Sequence, residues 1–248
     1  NLVTMTGTMI ALSSNFMLYI LAPAFDVPVP VWAYVVDAFA SFAYQTLDNL
    51  DGKQARRTGS SSPLGLLFDH GCDAFNSTTG ALSQAVVMQL GPTWQLVALW
   101  QVVCTPFLFT TLEELHTGEL ILPIVNGPTE GILVLVVAKL LTAYMGPEIW
   151  TQACSLPYAG GLKNNTAFLM FLWIGSHFVI LHNTLTIYKS KHRKDSMWTV
   201  CHQLLPYGMF QLGTMLWVYV SDIEETHPCT LMWWIGLLFA LIVMNIML

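Results

Sequence analysis

Between positions 48 and 73 the chain reads DNLDGKQARRTGSSSPLGLLFDHGCD, and four of these residues are aspartates. Asp48 and Asp51 stand three apart, Asp69 and Asp73 four apart, and at those spacings each pair shares a helix face. If the two helices pack as neighbours, the four carboxylates converge. Like charges gathered in a poorly hydrated pocket repel one another and call for cations. Oxygen-only donors suit Mg2+, Mn2+ or Ca2+ and not zinc or copper. Two such ions bridged by the aspartates would form the two-metal clamp used in phosphoryl transfer.

The intervening residues fit a phosphate ligand. Gly52 and Ala55 are small and share the aspartate face, where a nucleotide can approach the backbone. Arg56 offers a planar fork to phosphate oxygens. Gly65 opens the following helix with no side chain in the way, and RTGSSSP is a polar turn of the sort that covers such a site. A single intramembrane aspartate is often a packing partner or part of an ion path, and Lys53 and Arg57 read as interfacial anchors. Packing does not account for four aspartates with Gly, Ala and Arg at fixed offsets.

The elements that must hold these residues are membrane helices. Of 248 residues, 54% are hydrophobic and 10% charged, and the mean hydropathy is +0.57; soluble domains carry about 25% charged residues. A spanning helix needs roughly 20 apolar residues. That rule predicts eight spans, near 3–22, 31–47, 66–90, 94–112, 129–146, 166–187, 197–220 and 229–248. Turn signals separate them: VPVPV at 27–31, GPT at 91–93, NGPTEG at 126–131 and GGLKNN at 160–165. The expected fold is all-α, a single polytopic transmembrane bundle over 1–248. One aspartate pair closes the second helix and the other opens the third. The chain opens without a basic signal region and ends inside an apolar run, so it is expected to be a piece of a longer protein, trimmed at both ends.

Basic residues set the orientation. Lys53, Arg56 and Arg57 form one cluster, and Lys189, Lys191, Arg193 and Lys194 another, with four predicted spans between them. Both clusters therefore lie on one side, the cytosolic side by the positive-inside rule. Cys154 and Cys229 fall at the opposite side, where a disulfide is chemically permitted. The five cysteines otherwise match no zinc or redox spacing and read as ordinary thiols. Asn164 begins an N-x-T sequon there, a weak pattern. No basic surface suited to nucleic acid is present, and the net charge is -6.

Residues 48–73 also spell D-x2-D-G-x2-A-R-x8-G-x3-D-x3-D, which resembles the signature of the CDP-alcohol phosphotransferase family. The fuller wording DGKQARRTGSSSPLG, followed by LFDHGCD and later NGPTEG, is similar to its eukaryotic choline/ethanolamine phosphotransferase branch. That resemblance implies transfer of phosphocholine or phosphoethanolamine from CDP-choline or CDP-ethanolamine to diacylglycerol, with release of CMP. It implies that Asp48, Asp51, Asp69 and Asp73 hold two Mg2+ or Mn2+ ions and that Asn1, Gly52, Ala55, Arg56 and Gly65 line the CDP site. His70 and Asp73 are the candidates for the base that deprotonates the acceptor. It further implies about ten spans in the full protein, a homodimer, and an endoplasmic reticulum or Golgi membrane, with the site facing the cytosol.

One position departs from the branch, which has Glu one helical turn before the histidine, where it can orient and charge-stabilise the imidazole. Here Leu66 stands there. His70 then works alone, or another carboxylate such as Glu113, Glu114 or Glu130 reaches in, or Leu66 disables the site. On the sequence alone, Leu66→Glu is expected to raise turnover with little change in CDP-alcohol affinity. The competing readings are a family member acting on inositol or glycerol phosphate, a catalytically weak nucleotide-binding paralogue, and an ion transporter.

Overall fold

In a computed structural model of the protein, residues 2–118, 127–155, 161–190 and 195–248 are described, with the backbone alone for 127–129. The helices in order are α1 (Leu2–Leu21), α2 (Val31–Thr58), α3 (Pro63–Val87), α4 (Trp94–Thr117), α5 (Gly127–Met145), α6 (Asn164–Lys189), α7 (Met197–Val220), the one-turn α8 (Ile223–Thr226) and α9 (Pro228–Met247). A short 3-10 turn, Pro147–Trp150, follows α5. The described residues contain no named strand, only an isolated bridge between Ala153 and Lys163.

Each predicted span has its helix, and the main difference is at α2. It does not stop at residue 47 but continues to Thr58. The added residues Leu50, Lys53, Gln54, Ala55 and Arg56 are strong helix formers, so polarity does not interrupt the helix there. Gly59 ends it in a left-handed conformation (φ 64°), its N–H turned onto the carbonyls of Ala55 and Arg56. Only Gly59–Ser62 remain as a turn. Ser62 then caps α3, its Oγ accepting the Gly65 N–H at 3.0 Å, with Pro63 in the first helical position.

Packing gathers α1 against both α2 and α3, α5 against α2, α6 against α4 and α9 against α3, whereas α2 and α3 meet each other only narrowly. Leu18, Phe25, Tyr34, Trp100, Leu108 and Phe239 are fully buried. At the α3–α9 crossing a Cβ on Gly236 would lie 2.3 Å from Thr78 Cγ2, so the two helices approach at a glycine. Trp100 Nε1 donates to Thr78 Oγ1 at 3.1 Å and locks α4 to the same point. Outward faces of α6, α7 and α9 expose Phe171, Trp173, Met209, Leu212 and Trp234, surfaces suited to lipid.

By length and apolarity alone, α1, α4, α6 and α9 can cross a bilayer. Two of the remaining helices, α2 and α5, share a buried ion pair. Lys139 Nζ of α5 lies 2.7 Å from Asp37 Oδ2 of α2, with Asp37 0% and Lys139 2% exposed. Ser14 donates to Asp37 Oδ1 at 2.8 Å, Ser83 to Oδ2 at 2.5 Å, and Lys139 also donates to Ser41 Oγ at 2.8 Å. This network ties α1, α2, α3 and α5 into one body. All five cysteines are free, so the Cys154–Cys229 disulfide is not formed; Cys229 Sγ instead donates to the Pro23 carbonyl at 3.2 Å.

Candidate active site

The ends of α2 and α3 face one another with their sequences running in opposite directions. Asp48 therefore comes within hydrogen-bonding reach of Asp73, and Asp51 within reach of Asp69. Carboxylate oxygens of Asp48, Asp51 and Asp69 all lie within 4.8 Å of one another. Opposite ligands of an octahedral Mg2+ are ~4.2 Å apart and those of Ca2+ ~5 Å apart, so the three oxygens can close on a hard divalent ion with little movement. Asp69 Oδ1 is buried without a hydrogen-bond partner, as a donor atom awaiting a cation would be. Asp73 stands outside the trio. Its Oδ1 accepts the Tyr44 hydroxyl in a short hydrogen bond.

The CDP-site candidates lie along the same helix ends. Gly52 follows Asp51 directly, and a Cβ added there would sit 3.4 Å from Arg56 Nη1. The guanidinium of the exposed Arg56 thus folds back over Gly52. Ala55 is half-buried on α2, and Gly65, half-buried in the first turn of α3, spends its N–H on the Ser62 cap. Asn1 lies outside the described residues.

His70 is buried beside Asp69. Its Nδ1 is 3.2 Å from the Leu66 carbonyl, and its Nε2 is 3.2 Å from Glu114 Oε2, on α4. Of the three glutamates that sequence offered as substitutes for a carboxylate at position 66, Glu114 is the one at the imidazole. Glu113 is buried on the same helix, where a turned Asn183 amide would donate to its Oε2 at 2.9 Å.

A cavity of about 550 Å³ leads inward from this end of the bundle. Asp48, Asp73, Tyr44 and Glu130 line it, as do Ser41 and Lys139, and most of its remaining wall is apolar, including Val103, Phe107, Leu135 and Phe171. Glu130 Oε2 is buried and has no hydrogen-bond partner. Ser41 is seven residues from Asp48 along α2, so the cavity descends on the order of 10 Å from the carboxylates into the bundle.

Two partners of the aspartates were not picked out in the sequence. Thr4 Oγ1 of α1 donates to Asp51 Oδ2 at 2.5 Å, and Tyr44, one turn before Asp48, holds Asp73. Tyr44 had a readable signal, since it lies four residues before Asp48 on the aspartate face. Thr4 had none, because only tertiary packing brings it near.

A model of the CDP-alcohol phosphatidyltransferase family matches residues 1–188. The chain belongs to this family. It is 34% identical over 98% of its length to choline/ethanolaminephosphotransferase 1 of Arabidopsis thaliana, covering 65% of that protein. It is 36% identical to choline/ethanolaminephosphotransferase 1 of Saccharomyces cerevisiae, over 60% of this chain and 38% of the yeast protein. To a CDP-alcohol phosphatidyltransferase class-I family protein of Dictyostelium discoideum, named uncharacterized, it is 48% identical over 60% of this chain and 38% of the other. The chain thus spans less than two thirds of these relatives.

Proposed function

We propose that this phosphatidyltransferase moves phosphocholine or phosphoethanolamine from the CDP-alcohol onto diacylglycerol, giving phosphatidylcholine or phosphatidylethanolamine and CMP. The observation that carries this reading is the junction of the Asp48–Asp51–Asp69 cluster, with Asp73 beside it, and the largely apolar cavity beneath. A soluble nucleotide can enter at the helix ends, while an acceptor that never leaves the bilayer can arrive through the bundle. Asp48, Asp51 and Asp69, with Asp73 beside them, would hold two Mg2+ or Mn2+ ions. Such ions, when bound, neutralise the pyrophosphate and the departing CMP.

The chain's own residues do the remainder. Arg56, whose guanidinium lies over Gly52, grips a phosphate beside Gly52 and Ala55. The acceptor hydroxyl oxygen bonds to the β-phosphorus, and the bond from that phosphorus to the bridging oxygen breaks, its electron pair leaving with CMP. His70 takes the hydroxyl proton. Tyr44 and Asp48 engage Asp73, the other candidate base, while the Leu66 carbonyl and Glu114 face the two ring nitrogens of His70, so a contact of the base must open for the proton to be taken. The unpartnered Glu130 oxygen offers a carboxylate to a cationic head group. The same reading makes the protein a multi-pass homodimer of the endoplasmic reticulum or Golgi, its site facing the cytosol.

Purified protein in lipid nanodiscs should release CMP from CDP-choline or CDP-ethanolamine only when both diacylglycerol and Mg2+ or Mn2+ are supplied. No release with either donor overturns the proposal. Leu66 is the residue that favours the second reading, a nucleotide-binding paralogue of low activity. That reading is upheld if CDP-choline binds and no CMP appears.

A further inference from the structure

Hydroxyls in this bundle are commonly spent on its own backbone. Thr8, Ser13, Thr46, Thr110, Thr142 and Thr184 each donate to the carbonyl four residues earlier, the ordinary fate of a hydroxyl inside an apolar helix. Ser77 of α3 and Ser176 of α6 do otherwise. Both line the cavity beneath the aspartates, and neither hydroxyl has a hydrogen-bond partner among the described residues. Ser176 is only 7% exposed. Lys139 adds a third donor. An ammonium carries three N–H bonds, of which Asp37 and Ser41 take one each, and the third belongs to a side chain 3% exposed that lines the same cavity.

The two hydroxyls share a depth. Ser77 is one turn below Asp73, about 6 Å along α3. Helices α4 and α6 run in the same direction, pairing Gln95 with Thr166 and Thr110 with Asn183, which puts Ser176 level with Cys104. Cys104 Sγ is 3.8 Å from Thr78 Oγ1, so this is also the level of Ser77. Ser41, where Lys139 ends, lies two turns below Asp48. Between these donors the wall is apolar, with Val103, Phe107 and Leu172.

A donor left unpaired in apolar surroundings is costly. The ligand that completes these must be apolar along most of its length and carry neutral oxygen acceptors a short way below the group that meets the aspartates. The ester carbonyls of a diacylglycerol are such acceptors, close to the glycerol hydroxyl and followed by hydrocarbon. A nucleotide, charged and polar throughout, does not match the wall.

We infer that Ser77, Ser176 and Lys139 form a subsite for the ester carbonyls of the lipid acceptor, so that the protein selects acyl over alkyl glycerols. This deepens the transferase reading above and rests on it.

The test compares dioleoylglycerol with its di-ether analogue, which keeps the hydroxyl and the chains and lacks both carbonyls. Whole protein in nanodiscs is given CDP-choline or CDP-ethanolamine with Mg2+, and CMP release is read for each acceptor. Wild type should favour the ester by about 20-fold or more in kcat/KM, because a site built to hydrogen-bond a group rejects the analogue without it. Ser77→Ala and Ser176→Ala should each cut that preference about five-fold, the worth of one hydrogen bond. The loss should fall on the ester, with the di-ether rate and the KM for the CDP-alcohol unchanged. The preference is a ratio within one preparation, so partial misfolding of a variant does not alter it. The inference is overturned if wild type uses both acceptors within three-fold of each other. It is equally overturned if both variants keep the wild-type preference, in which case the hydroxyls hold water only. Wild-type protein that releases no CMP with either acceptor instead overturns the transferase reading, and this inference falls with it.

Discussion

Removing the charge of Asp37 while keeping its shape, as in Asp37→Asn, should destabilise the bundle severely. In the folded protein Lys139 stands 2.7 Å from Asp37 Oδ2, and both residues are shielded from solvent. At that distance the attraction is about 6 kcal/mol for an effective dielectric constant of 20. Part of this offsets the desolvation of the two groups. What the mutation exposes is the penalty of an ammonium left without a counter-charge, about 3–5 kcal/mol for a broken buried pair. Ser41 still accepts one Lys139 hydrogen bond at 2.8 Å, which argues for the lower half of that range. The double replacement Asp37→Leu/Lys139→Met removes both charges, and buried pairs exchanged for apolar side chains are often neutral or better. Unfolding by SDS titration in mixed micelles, followed through tryptophan fluorescence, measures all of these variants. Asp37→Asn should lose about 3 kcal/mol or more, and the double variant should return to within about 1 kcal/mol of wild type. If Asp37→Asn unfolds at the wild-type midpoint, or if the double variant is no more stable than the single one, the pair does not hold α5 to α2.

Three further expectations follow from the site and the packing. Asp48→Asn or Asp69→Asn should cut CMP release at least ~100-fold, since metal-ion catalysis supplies several kcal/mol of transition-state stabilisation; retention of near-wild-type rates would exclude the trio as metal ligands. Adding Mg2+ or Mn2+ to nucleotide-free protein should raise its thermal midpoint, as a ligand bound only by the folded state does, and EDTA should reverse the rise. The Asp48→Asn/Asp69→Asn protein should show no such rise, and a shift of wild-type size would point to binding elsewhere. Gly236→Ala should cost about 1–3 kcal/mol of stability by driving a methyl group into Thr78, and Thr78→Ser should recover part of it by deleting the clashing Cγ2, both measurable in the same SDS titration.

How much of this was legible in the sequence depended on how local each feature was. Helix positions followed from apolar runs, because lipid leaves a chain few alternatives to helix. The aspartate pairs were legible for the same reason, since two residues three or four apart on one helix need no tertiary information. The extension of α2 to Thr58 was missed because a hydropathy rule stops where charge begins, while the helix stops only where Gly59 turns it. Glu114 could be offered only as one of three carboxylates, since the contact to His70 is created by the α3–α4 packing. It also changes an expectation: Leu66→Glu, which the sequence alone predicts to raise turnover, should now add little. Asp37 and Lys139 carried a readable signal that was not used, as isolated charges inside apolar spans call for a partner.

The Asp37–Lys139 pair has a consequence for how this protein is made. Both charges lie inside predicted spans, Asp37 within 31–47 and Lys139 within 129–146. A lysine near the middle of a helix opposes insertion by about 2.5–3.5 kcal/mol. Lys139 leaves the ribosome 98 residues after Ser41, its hydrogen-bond partner on α2. By then the earlier helix can already present Asp37 and Ser41 within the membrane. The insertion of α5 is thereby conditional on correct placement of α2, and a nascent chain whose first helices are misplaced would hold α5 back at the translocon, where it is open to quality control before any active site has formed.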